Sequence, residues 1–336
     1  MVERSNIEDV ALLARVSRSS VSRVLNSHPN VTPRLREKVM SAAQQLGYSP
    51  DINAASLRYG KTKTIGMVVR DLASPLYADI LHGIEQAMRA AGYSTIVANS
   101  DGDPEVGMNH INLFRQRRVD GLILSLDSDL PVSINESIGS IGCPVILLDR
   151  DIPIAWKSGS IGAVWVDHYG GCIEALERLI AAGHRRVGFI GGPEGIRPSR
   201  ERYAAYVDVL ARHGIPLNPS IILRGEHSIH FGGSAAREML STTDSPTAFF
   251  AAGVELAAGV LIALQDLPTA RRREMDLVTC DYLPLMMLSD VRVTVVDRDR
   301  PSIGTAAANA LLSMIRGGES GQILEIPTSV RLGGSL

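Results

Sequence analysis

The stretch from residue 17 to residue 26, SRSSVSRVLN, combines an apolar helical stripe with side chains that can bind nucleic acid. Val21, Val24 and Leu25 recur at the spacing of one helix face, and Ser17 can cap the helix. The side chains that can hydrogen-bond a base edge or a phosphate are Arg18, Ser19, Ser20, Ser22, Arg23 and Asn26. This pattern predicts a short helix with one face suited to DNA.

A second predicted helix precedes this one. It covers residues 7–14, begins after the capping residue Asn6, and is joined to the next helix by Arg15, Val16 and Ser17. Two short helices joined in this way are the arrangement of a helix-turn-helix, whose second helix enters the major groove. An ordinary helical hairpin has the same pattern, so these residues alone leave both interpretations open. A third helix is predicted from Pro33, after the capping residue Thr32, to about Leu46, which completes a three-helix head.

The composition limits the classes of protein to which the chain can belong. Its 336 residues are 45% hydrophobic and 21% charged, which indicates a globular protein of two or three domains. No apolar run approaches the roughly 18 residues that span a bilayer, and the polar N-terminus shows no secretory signal. Cys143, Cys172 and Cys280 are too far apart for a paired metal motif. We therefore expect a cytoplasmic protein with reduced thiols, no metal, no cofactor and no membrane contact.

Charge is unevenly distributed along the chain. Residues 1–63 contain ten Lys or Arg and five Asp or Glu, a formal charge of +5. The rest of the chain contains 24 basic and 31 acidic residues, a formal charge of −7. A basic segment on an acidic remainder is typical of a phosphate-binding head attached to a body that does not bind DNA, although five charges can also arise by chance.

From residue 64 the chain alternates predicted strands and helices. The predicted strands cover residues 64–69, 94–98, 121–125, 145–149, 164–167, 186–191, 221–223, 248–251, 277–280, 323–326 and 329–332. The predicted helices cover residues 78–91, 169–182, 199–213, 232–240, 254–267 and 302–316, with further helices expected between residues 98 and 145. This alternation predicts an α/β fold with parallel sheets covered on both faces, and its length suffices for two sheets.

Polar residues follow several of these predicted strands. Open parallel sheets bind ligands beyond the carboxyl ends of their strands. The residues predicted at those ends are Asp71, Ser125, Asp149, Arg150, Asp167, Gly253, Asp281 and Asp297. Several polar groups converging on one cleft suit a polyhydroxylated ligand.

Ordered motifs along the chain resemble the LacI/GalR family of bacterial repressors. Residues 5–58 carry SSVSRVLN, VTPRLREKV, LGYSP and SLR in that order, and the remainder carries VDGLIL, PVILLDR, AAGHRRVGFIGG, SPTAFFAAG and LVTCDYLP. The resemblance implies a helix-turn-helix head at 1–49, a hinge helix and linker at 50–63, and a body at 64–336 with two flavodoxin-like lobes of the periplasmic-binding-protein type. The N-lobe is expected at about 64–165 and 293–318, and the C-lobe at about 166–290 and 320–336.

The resemblance also implies roles for the residues of the head. Arg18 and Ser19 are expected to choose bases, and Arg23 is expected to read a base or to hold a phosphate. Ser17 and Thr32 are expected to bind phosphates and fix the register on DNA. Arg15 stands where the family usually has glycine, so we expect an unfavourable backbone conformation at this turn.

In the hinge, the resemblance assigns DNA contacts to Asn53, Ala54 and Leu57. The family's leucine at the position of Leu57 is wedged into the minor groove and kinks the duplex, which is a known use of an apolar side chain. Asn53 and Ala55 replace residues that are usually apolar and basic, so the hinge departs from the family here. An unstructured linker is the alternative interpretation of this segment.

The effector site that the resemblance implies lies between the two lobes. It comprises Asp71, Ser74, Tyr77, Ser125, Asp149, Arg197, Arg202, His227, Gly253, Asp281 and Asp297. For each of these residues a helix cap or a salt bridge between lobes is the structural alternative. Gly253 and Val254 replace the family's usual Asn-Asp pair while several arginines remain, which favours a sugar acid or sugar phosphate over a neutral sugar.

The sequence therefore predicts a homodimeric, ligand-responsive transcriptional repressor that binds a pseudo-palindromic operator. One alternative is a periplasmic-type sugar-binding protein that shares only the body, and another is a regulator activated by a non-sugar corepressor. A sugar-processing enzyme is disfavoured because residues 191–195, GGPEG, lack a dinucleotide or phosphate-loop motif. No G-x-S-x-G or H-E-x-x-H motif occurs either, so we expect no catalytic activity.

Overall fold

The computed structural model describes residues 5–25, 28, 30–48, 61–126, 141–151, 160–282, 284–318 and 321–332. The chain divides into two units, residues 1–62 and residues 63–336. The described helices of the first unit are α1 (Ile7–Leu13), α2 (Arg18–Leu25) and α3 (Pro33–Gln45). The predicted hinge residues Asn53, Ala54 and Leu57 lie outside the described residues, and so does Asn26.

Local signals in the sequence place the helix ends of the first unit. Asn6 caps α1 by accepting hydrogen bonds from the backbone N–H groups of Glu8 and Asp9, at 2.7 and 3.1 Å. Thr32 caps α3 by accepting from the N–H of Leu35 at 3.3 Å. The expected unfavourable backbone at Arg15 is confirmed, because its φ is +48°.

The three helices of the first unit pack around small side chains. Val10 from α1, Val21 and Val24 from α2, and Val39 from α3 are all buried and belong to one apolar cluster. The cluster uses the apolar face of α2 and leaves the opposite face to solvent. A core built from valine and alanine is small, so the unit depends on good packing at each position.

The second unit contains the remaining elements. Its described strands are β1 (Thr64–Val69), β2 (Ser94–Asn99), β3 (Gly121–Leu124), β4 (Val145–Leu148), β5 (Ile161–Val166), β6 (Val187–Gly191), β7 (Ile222–Arg224), β8 (Ala248–Ala251), β9 (Asp276–Cys280), β10 (Arg292–Arg298), β11 (Ile323–Ile326) and β12 (Thr328–Leu332). Its described helices are α4 (Pro75–Ala90), α5 (Pro104–Gln116), α6 (His168–Ala181), α7 (Arg197–Arg212), α8 (Ile229–Leu240), α9 (Val254–Leu264), α10 (Thr269–Arg273) and α11 (Arg300–Ile315).

These strands form two sheets, each the centre of one lobe. The N-lobe sheet has the order β11-β5-β4-β3-β1-β2, and the C-lobe sheet has the order β12-β10-β9-β8-β6-β7. All neighbours among the described strands pair in parallel except β10 and β12, which are antiparallel. The predicted α/β fold with two parallel sheets is confirmed. Both sheets carry their carboxyl ends, and therefore their polar end residues, toward the cleft between the lobes.

Two predicted lobe boundaries are wrong. Residues 293–298 were expected in the N-lobe, but β10 pairs with β9 and β12 in the C-lobe sheet. Residues 320–326 were expected in the C-lobe, but β11 pairs with β5 in the N-lobe sheet. An apolar strand pattern identifies a strand without identifying its hydrogen-bonding partner, so the sequence could not decide between the sheets. The predicted strands also omit β10, and the predicted helices omit the short α10.

Close helix packing fixes the N-lobe behind the cleft. A Cβ added at Gly304 on α11 would overlap the backbone carbonyl of Ile80 on α4, so glycine permits the contact between the two helices. Ile84 and Leu311 are completely buried in the cluster that these helices share with the sheet. Among the described residues, no helix is long and apolar enough to cross a membrane.

Candidate effector cleft and DNA-binding face

The face of α2 opposite the core presents the predicted DNA-binding side chains. Ser17, Arg18, Ser19, Arg23 and Thr32 are exposed. Two further predicted residues, Ser20 and Ser22, are half-buried between this face and the core. The described residues that the sequence assigns to DNA therefore lie at the start of α2, along α2 and at the N-cap of α3.

Hydrogen bonds organise the N-terminal end of α2. The Ser17 hydroxyl lies 2.8 Å from the Ser19 hydroxyl and 2.9 Å from the Ser20 hydroxyl, and it accepts from the backbone N–H of Ser20 at 3.2 Å. Arg18 Nη1 lies 3.4 Å from Glu8 Oε1, and both side chains are 70% exposed. An ion pair this exposed contributes little to stability, so Arg18 remains available to an anion.

A cavity of about 100 Å³ lies between the two lobes. Its volume is larger than the roughly 10–15 Å³ that one water molecule requires. The predicted residues that line it are Asp71, Ser74, Tyr77, Ser125, Asp149, Arg202, His227, Gly253 and Asp281. The cavity is also lined by Arg150 and Arg298, two of the arginines on which the expected preference for an anion depends, and by Arg70 and Glu255, which were not predicted. Arg70 directly follows β1, Arg150 lies two residues after the end of β4, and Arg298 is the last residue of β10.

Arg298 joins the two lobes at the base of this cavity. Its Nε and Nη2 donate to the two carboxylate oxygens of Asp281, at 2.7 and 3.0 Å. Its Nη1 donates to Oδ2 of Asp149 in the N-lobe at 2.8 Å. The Arg298 side chain is only 5% exposed, and its two carboxylate partners raise its pKa further above the ordinary value against the effect of burial. One guanidinium therefore neutralises carboxylates from both sheets.

The two aspartates occupy equivalent positions in the two lobes. Asp149 follows β4 and Asp281 follows β9, and both have a left-handed backbone with φ of +50° and +71°. Burial favours the neutral form of Asp149, but His168, Arg298 and the N–H of Val166 outweigh it and hold the pKa of this carboxyl well below its usual range. Arg298 likewise lowers the pKa of Asp281 despite its burial. Both groups are carboxylates at neutral pH.

His168, at the start of α6, connects the aspartate of the N-lobe to an arginine of the C-lobe. Its Nε2 lies 3.2 Å from Oδ2 of Asp149, and its Nδ1 lies 3.3 Å from Nη2 of Arg202. A neutral ring with the proton on Nε2 satisfies both contacts, because a guanidinium can only donate. Burial and the charge of Arg202 lower the pKa of His168 to about 4 against the opposing effect of Asp149.

Arg202 lies on α7 and is held at the cleft by the C-lobe. Its Nη1 donates to the carbonyl of Ala252 at 2.8 Å, and its Nη2 lies 4.0 Å from Oδ2 of Asp281. Its Nε is buried and has no hydrogen-bond partner among the described residues. The Arg202 side chain is thus held in position, and its Nε can still donate a hydrogen bond to a ligand.

Two predicted effector residues, Arg197 and Asp297, do not line the cavity. Arg197 stacks on the ring of Trp165 with 4.3 Å from its Cζ to the ring centre, and it pairs with Glu201 at 2.6 Å. Asp297 accepts from Arg331 Nε at 2.9 Å. Successive side chains of a strand point to opposite faces, so Asp297 turns away where its neighbour Arg298 enters the cleft. These two predictions require correction on geometric grounds.

Neutral polar groups line the rest of the cavity. The Tyr77 and Ser125 hydroxyls lie 3.0 Å apart, and the Ser74 hydroxyl donates to Glu255 Oε1 of the opposite lobe at 3.1 Å. A Cβ added at Gly253 would lie 2.9 Å from Nδ1 of His227, so glycine at this position makes room for the imidazole.

The imidazole of His227 is uncharged at neutral pH. Burial and the charges of Arg202, Arg70 and Arg150 lower the pKa of His227 to about 3. The ring can therefore offer one donor and one acceptor nitrogen. Among the described residues, no cluster of three or more His, Cys, Asp or Glu could hold a metal ion.

Comparison with known proteins assigns both units. Residues 6–51 match the family described as "Bacterial regulatory proteins, lacI family", and residues 62–333 match "Periplasmic binding proteins and sugar binding domain of LacI family". The chain is 30% identical over 312 residues to the HTH-type transcriptional repressor PurR of Haemophilus influenzae, covering 93% of this chain and 91% of that one. It is 29% identical over 307 residues to catabolite control protein A of Priestia megaterium, covering 91% of each chain.

The fold agrees with a solved structure of this kind. The structure of the Lac repressor bound to ONPG in the repressed state superposes with a TM-score of 0.82 at 25% identity, covering 99% of this chain and 100% of that one. Members of this family bind operator DNA and small-molecule effectors and act as dimers, which are the partners that the sequence predicts. The chain belongs to the LacI family of bacterial regulatory proteins, and it is a transcriptional repressor with a DNA-binding head and an effector-binding body.

Proposed function

We propose that this repressor responds to a sugar derivative that carries a carboxylate or a phosphate and binds in the cavity between the lobes. The single observation that carries the proposal is the set of guanidinium groups on the cavity wall, which belong to Arg70, Arg150 and Arg202. Guanidinium groups bind carboxylate and phosphate through paired hydrogen bonds. Arg298 also lines the cavity, but its charge is offset by Asp149 and Asp281.

The carboxylates of the same cavity already accept hydrogen bonds from the protein. Asp71 accepts from the N–H of Ala73 at 2.8 Å, and Glu255 accepts from Ser74 at 3.1 Å. Arg150 in contrast is buried at 5% exposure and donates to backbone carbonyls, which fixes its position without cancelling its charge. The cavity wall carries four guanidinium groups and four carboxylates, and we assign an anionic ligand group to the arginines that lie outside the pairing of Arg298 with Asp149 and Asp281.

The hydroxyl groups of a sugar would meet the neutral polar groups of the cavity. Tyr77 and Ser125 can each donate and accept, and the uncharged His227 offers one nitrogen of each kind. We assign the anionic group of the ligand to the arginines and its hydroxyl groups to these three residues. Asp149 and Asp281 act through Arg298, which couples ligand binding to the relative position of the lobes.

In the head, we assign base recognition to Arg18 and Ser19 and phosphate contacts to Ser17 and Thr32. Arg23 lies in the last turn of α2 and reads a base or holds a phosphate. The exposure of these side chains to solvent supports the assignment. The proposal includes no catalytic step in the cleft, and it locates the protein in the cytoplasm, where operator DNA is found.

Isothermal titration calorimetry with matched ligands tests the effector class. We expect a sugar acid or sugar phosphate to bind and the corresponding neutral sugar to bind at least about tenfold more weakly, since a hydrogen bond to a charged group contributes roughly 1.5–3 kcal/mol. Arg150→Ala should weaken the anionic ligand selectively, and Arg300→Ala is the control because that arginine pairs with Asp79 away from the cavity. The proposal would be overturned if a neutral sugar bound tightly and the sugar acids and sugar phosphates did not bind.

A further inference from the structure

Two cysteines of the C-lobe lie side by side behind the cleft. Cys172 on α6 and Cys280 at the end of β9 have their Sγ atoms 3.8 Å apart. Their residues are 0% and 2% exposed. They come from positions 108 residues apart in the chain, so the fold and not the sequence spacing brings them together.

Close packing of α6 against the sheet creates this proximity. A Cβ added at Gly171, the residue before Cys172, would lie 2.7 Å from Cγ1 of Val296 on β10. Glycine at that position lets the first turn of α6 approach the strands more closely than another residue would allow. The thiol of the next residue is thereby carried to the end of the neighbouring strand β9.

Each cysteine lies close in sequence to a charged or polar residue of the cleft. Cys280 directly precedes Asp281, which binds Arg298, and Cys172 follows His168 by one helical turn. The hydrogen bond between the two thiols, together with the charges of Arg202 and Arg298, lowers the pKa of Cys280 against the effect of burial. The thiolate, rather than the thiol, is the form that oxidants attack.

We propose that Cys172 and Cys280 form an oxidation site that a peroxide converts to an intramolecular disulfide, and that this disulfide alters the effector cleft. In the first step the Cys280 sulfur attacks one peroxide oxygen, the O–O bond breaks, and the other oxygen leaves as water with the proton of the thiol. In the second step the Cys172 sulfur attacks the sulfenic acid, the S–S bond forms, and a second water leaves with the proton of that thiol. Two thiols are oxidised and one hydrogen peroxide is reduced to two waters.

The disulfide requires a movement that the cleft must accommodate. A disulfide bond is about 2.05 Å long, so the sulfur atoms approach each other by roughly 1.8 Å from their present separation. We expect part of this movement to fall on α6, which begins with His168, and on the end of β9, which Asp281 follows. His168 contacts Asp149, and Asp281 contacts Arg298. A displacement of His168 or Asp281 would therefore shift the residues that join the two lobes.

Cys143 provides an internal control. It lies in the N-lobe, and burial and the charge of Asp120 raise its pKa to about 12. It has no described thiol beside it and should stay reduced under conditions that oxidise the pair.

Peptide mapping of the full-length protein tests the oxidation site. The reduced protein is treated with hydrogen peroxide, residual thiols are alkylated, and the chain is digested without reductant. We expect one cross-linked species that joins the peptides of Cys172 and Cys280, with Cys143 recovered as an alkylated thiol. Cys172→Ser should abolish the cross-link and leave Cys280 as a sulfenic acid that dimedone traps, whereas Cys143→Ser should leave it unchanged. Three alkylated thiols, or a sulfinic acid without any cross-link, would overturn the proposal.

The coupling to the cleft rests on the proposed function and has its own measurement. An inverted repeat is selected from random DNA with the reduced protein, and its dissociation constant is measured before and after oxidation. We expect a change of about tenfold, which is typical for coupling between two sites. Peroxide-treated Cys172→Ser should bind as before treatment, and equal affinity of both wild-type forms would refute the coupling. If neither a sugar acid nor a sugar phosphate binds the reduced protein in the calorimetric titration, the proposed function fails while the peptide map still decides the oxidation site.

Discussion

The DNA-binding face and the effector cleft use similar side chains in opposite environments. The face presents Arg18 with its partner Glu8 ten residues away, and both are 70% exposed. The cleft pairs Arg298 with Asp149 across 149 residues of chain, and the arginine is 5% exposed. The same ion-pair chemistry is therefore local and solvated in the head, but long-range and buried in the body.

This difference in environment separates two kinds of function. Exposed charges interact weakly with each other in water, so the head can exchange an internal partner for a phosphate or a base at little cost. Buried charges have lost their hydration, so each must keep a partner, and a ligand that changes one contact affects the others. The exposed charges of the head suit the binding of DNA, and the buried pairs of the cleft suit the coupling between lobes that we propose.

Removal of the central cation should have the largest effect. Arg298→Met leaves Asp149 and Asp281 buried without their shared partner, and the free energy of unfolding should fall by about 3–5 kcal/mol. Urea denaturation followed by circular dichroism measures it. Arg237→Met is the control, because both members of its pair with Asp266 are exposed, at 51% and 63%, and its loss should cost less than about 1 kcal/mol. An equal fall in the free energy of unfolding of both variants would show that buried and exposed ion pairs contribute alike to stability.

Acid should weaken the body through His168. Its pKa is about 4 in the folded protein and about 6.5 when unfolded, so the unfolded chain binds the proton first as pH falls. The stability contributed by the neutral ring is present above pH 6.5 and is lost, by about 1.4 kcal/mol per pH unit, between pH 6.5 and 4. His168→Asn removes this titration, so its free energy of unfolding should fall less steeply over that window. If the free energies of unfolding of variant and wild type fell equally between pH 6.5 and 4, His168 would not be a buried, neutral histidine in the folded protein.

In the head, Arg23→Ala should weaken operator binding by about 1–3 kcal/mol if the side chain reads a base. Fluorescence anisotropy on the operator and on random duplex DNA separates the two roles of this arginine. Loss on the operator alone indicates a base contact, and an equal loss on both sequences indicates a phosphate contact. No loss on either DNA would exclude Arg23 from the recognition surface.

The smallest effect is expected at the exposed ion pair. Glu8→Gln should change the free energy of unfolding by less than about 0.5 kcal/mol, since the pair is highly exposed. The same change should strengthen DNA binding slightly at low salt, because one negative charge near Arg18 is removed. Thermal unfolding and a salt titration of DNA binding measure both effects. A large loss of stability would show that the head, like the cleft, depends on its charge pairs.

The parts of the molecule that local signals define could be predicted from the sequence. The helices of the head follow from caps at Asn6 and Thr32 and from an apolar stripe of fixed spacing. The unfavourable backbone at Arg15 follows from the residue that replaces glycine in the turn. The alternating strands and helices of the body, and the motifs of the LacI family, likewise need no knowledge of long-range contacts.

The site residues were predicted less completely than the fold. Nine of the eleven predicted effector residues line the cavity. Five of the nine were also predicted at strand ends, whereas Ser74, Tyr77, Arg202 and His227 were predicted only from the resemblance to the family. Arg197 and Asp297 do not line the cavity, since stacking on Trp165 and the alternation of side chains along β10 direct them elsewhere. Glu255 was missed because it belongs to the first turn of a helix whose approach to Ser74 depends on the other lobe.

The sequence by itself determined the class of the protein, its two lobes and the residue types available to the head and the cleft. Only the tertiary structure decided which sheet receives β10 and β11, which carboxylates share Arg298, and which two of the three cysteines meet. The reason is physical: caps and helical stripes act over a few residues, whereas strand pairing and buried charge compensation join residues that are distant in the chain. Those partners are chosen by the packing of the whole fold.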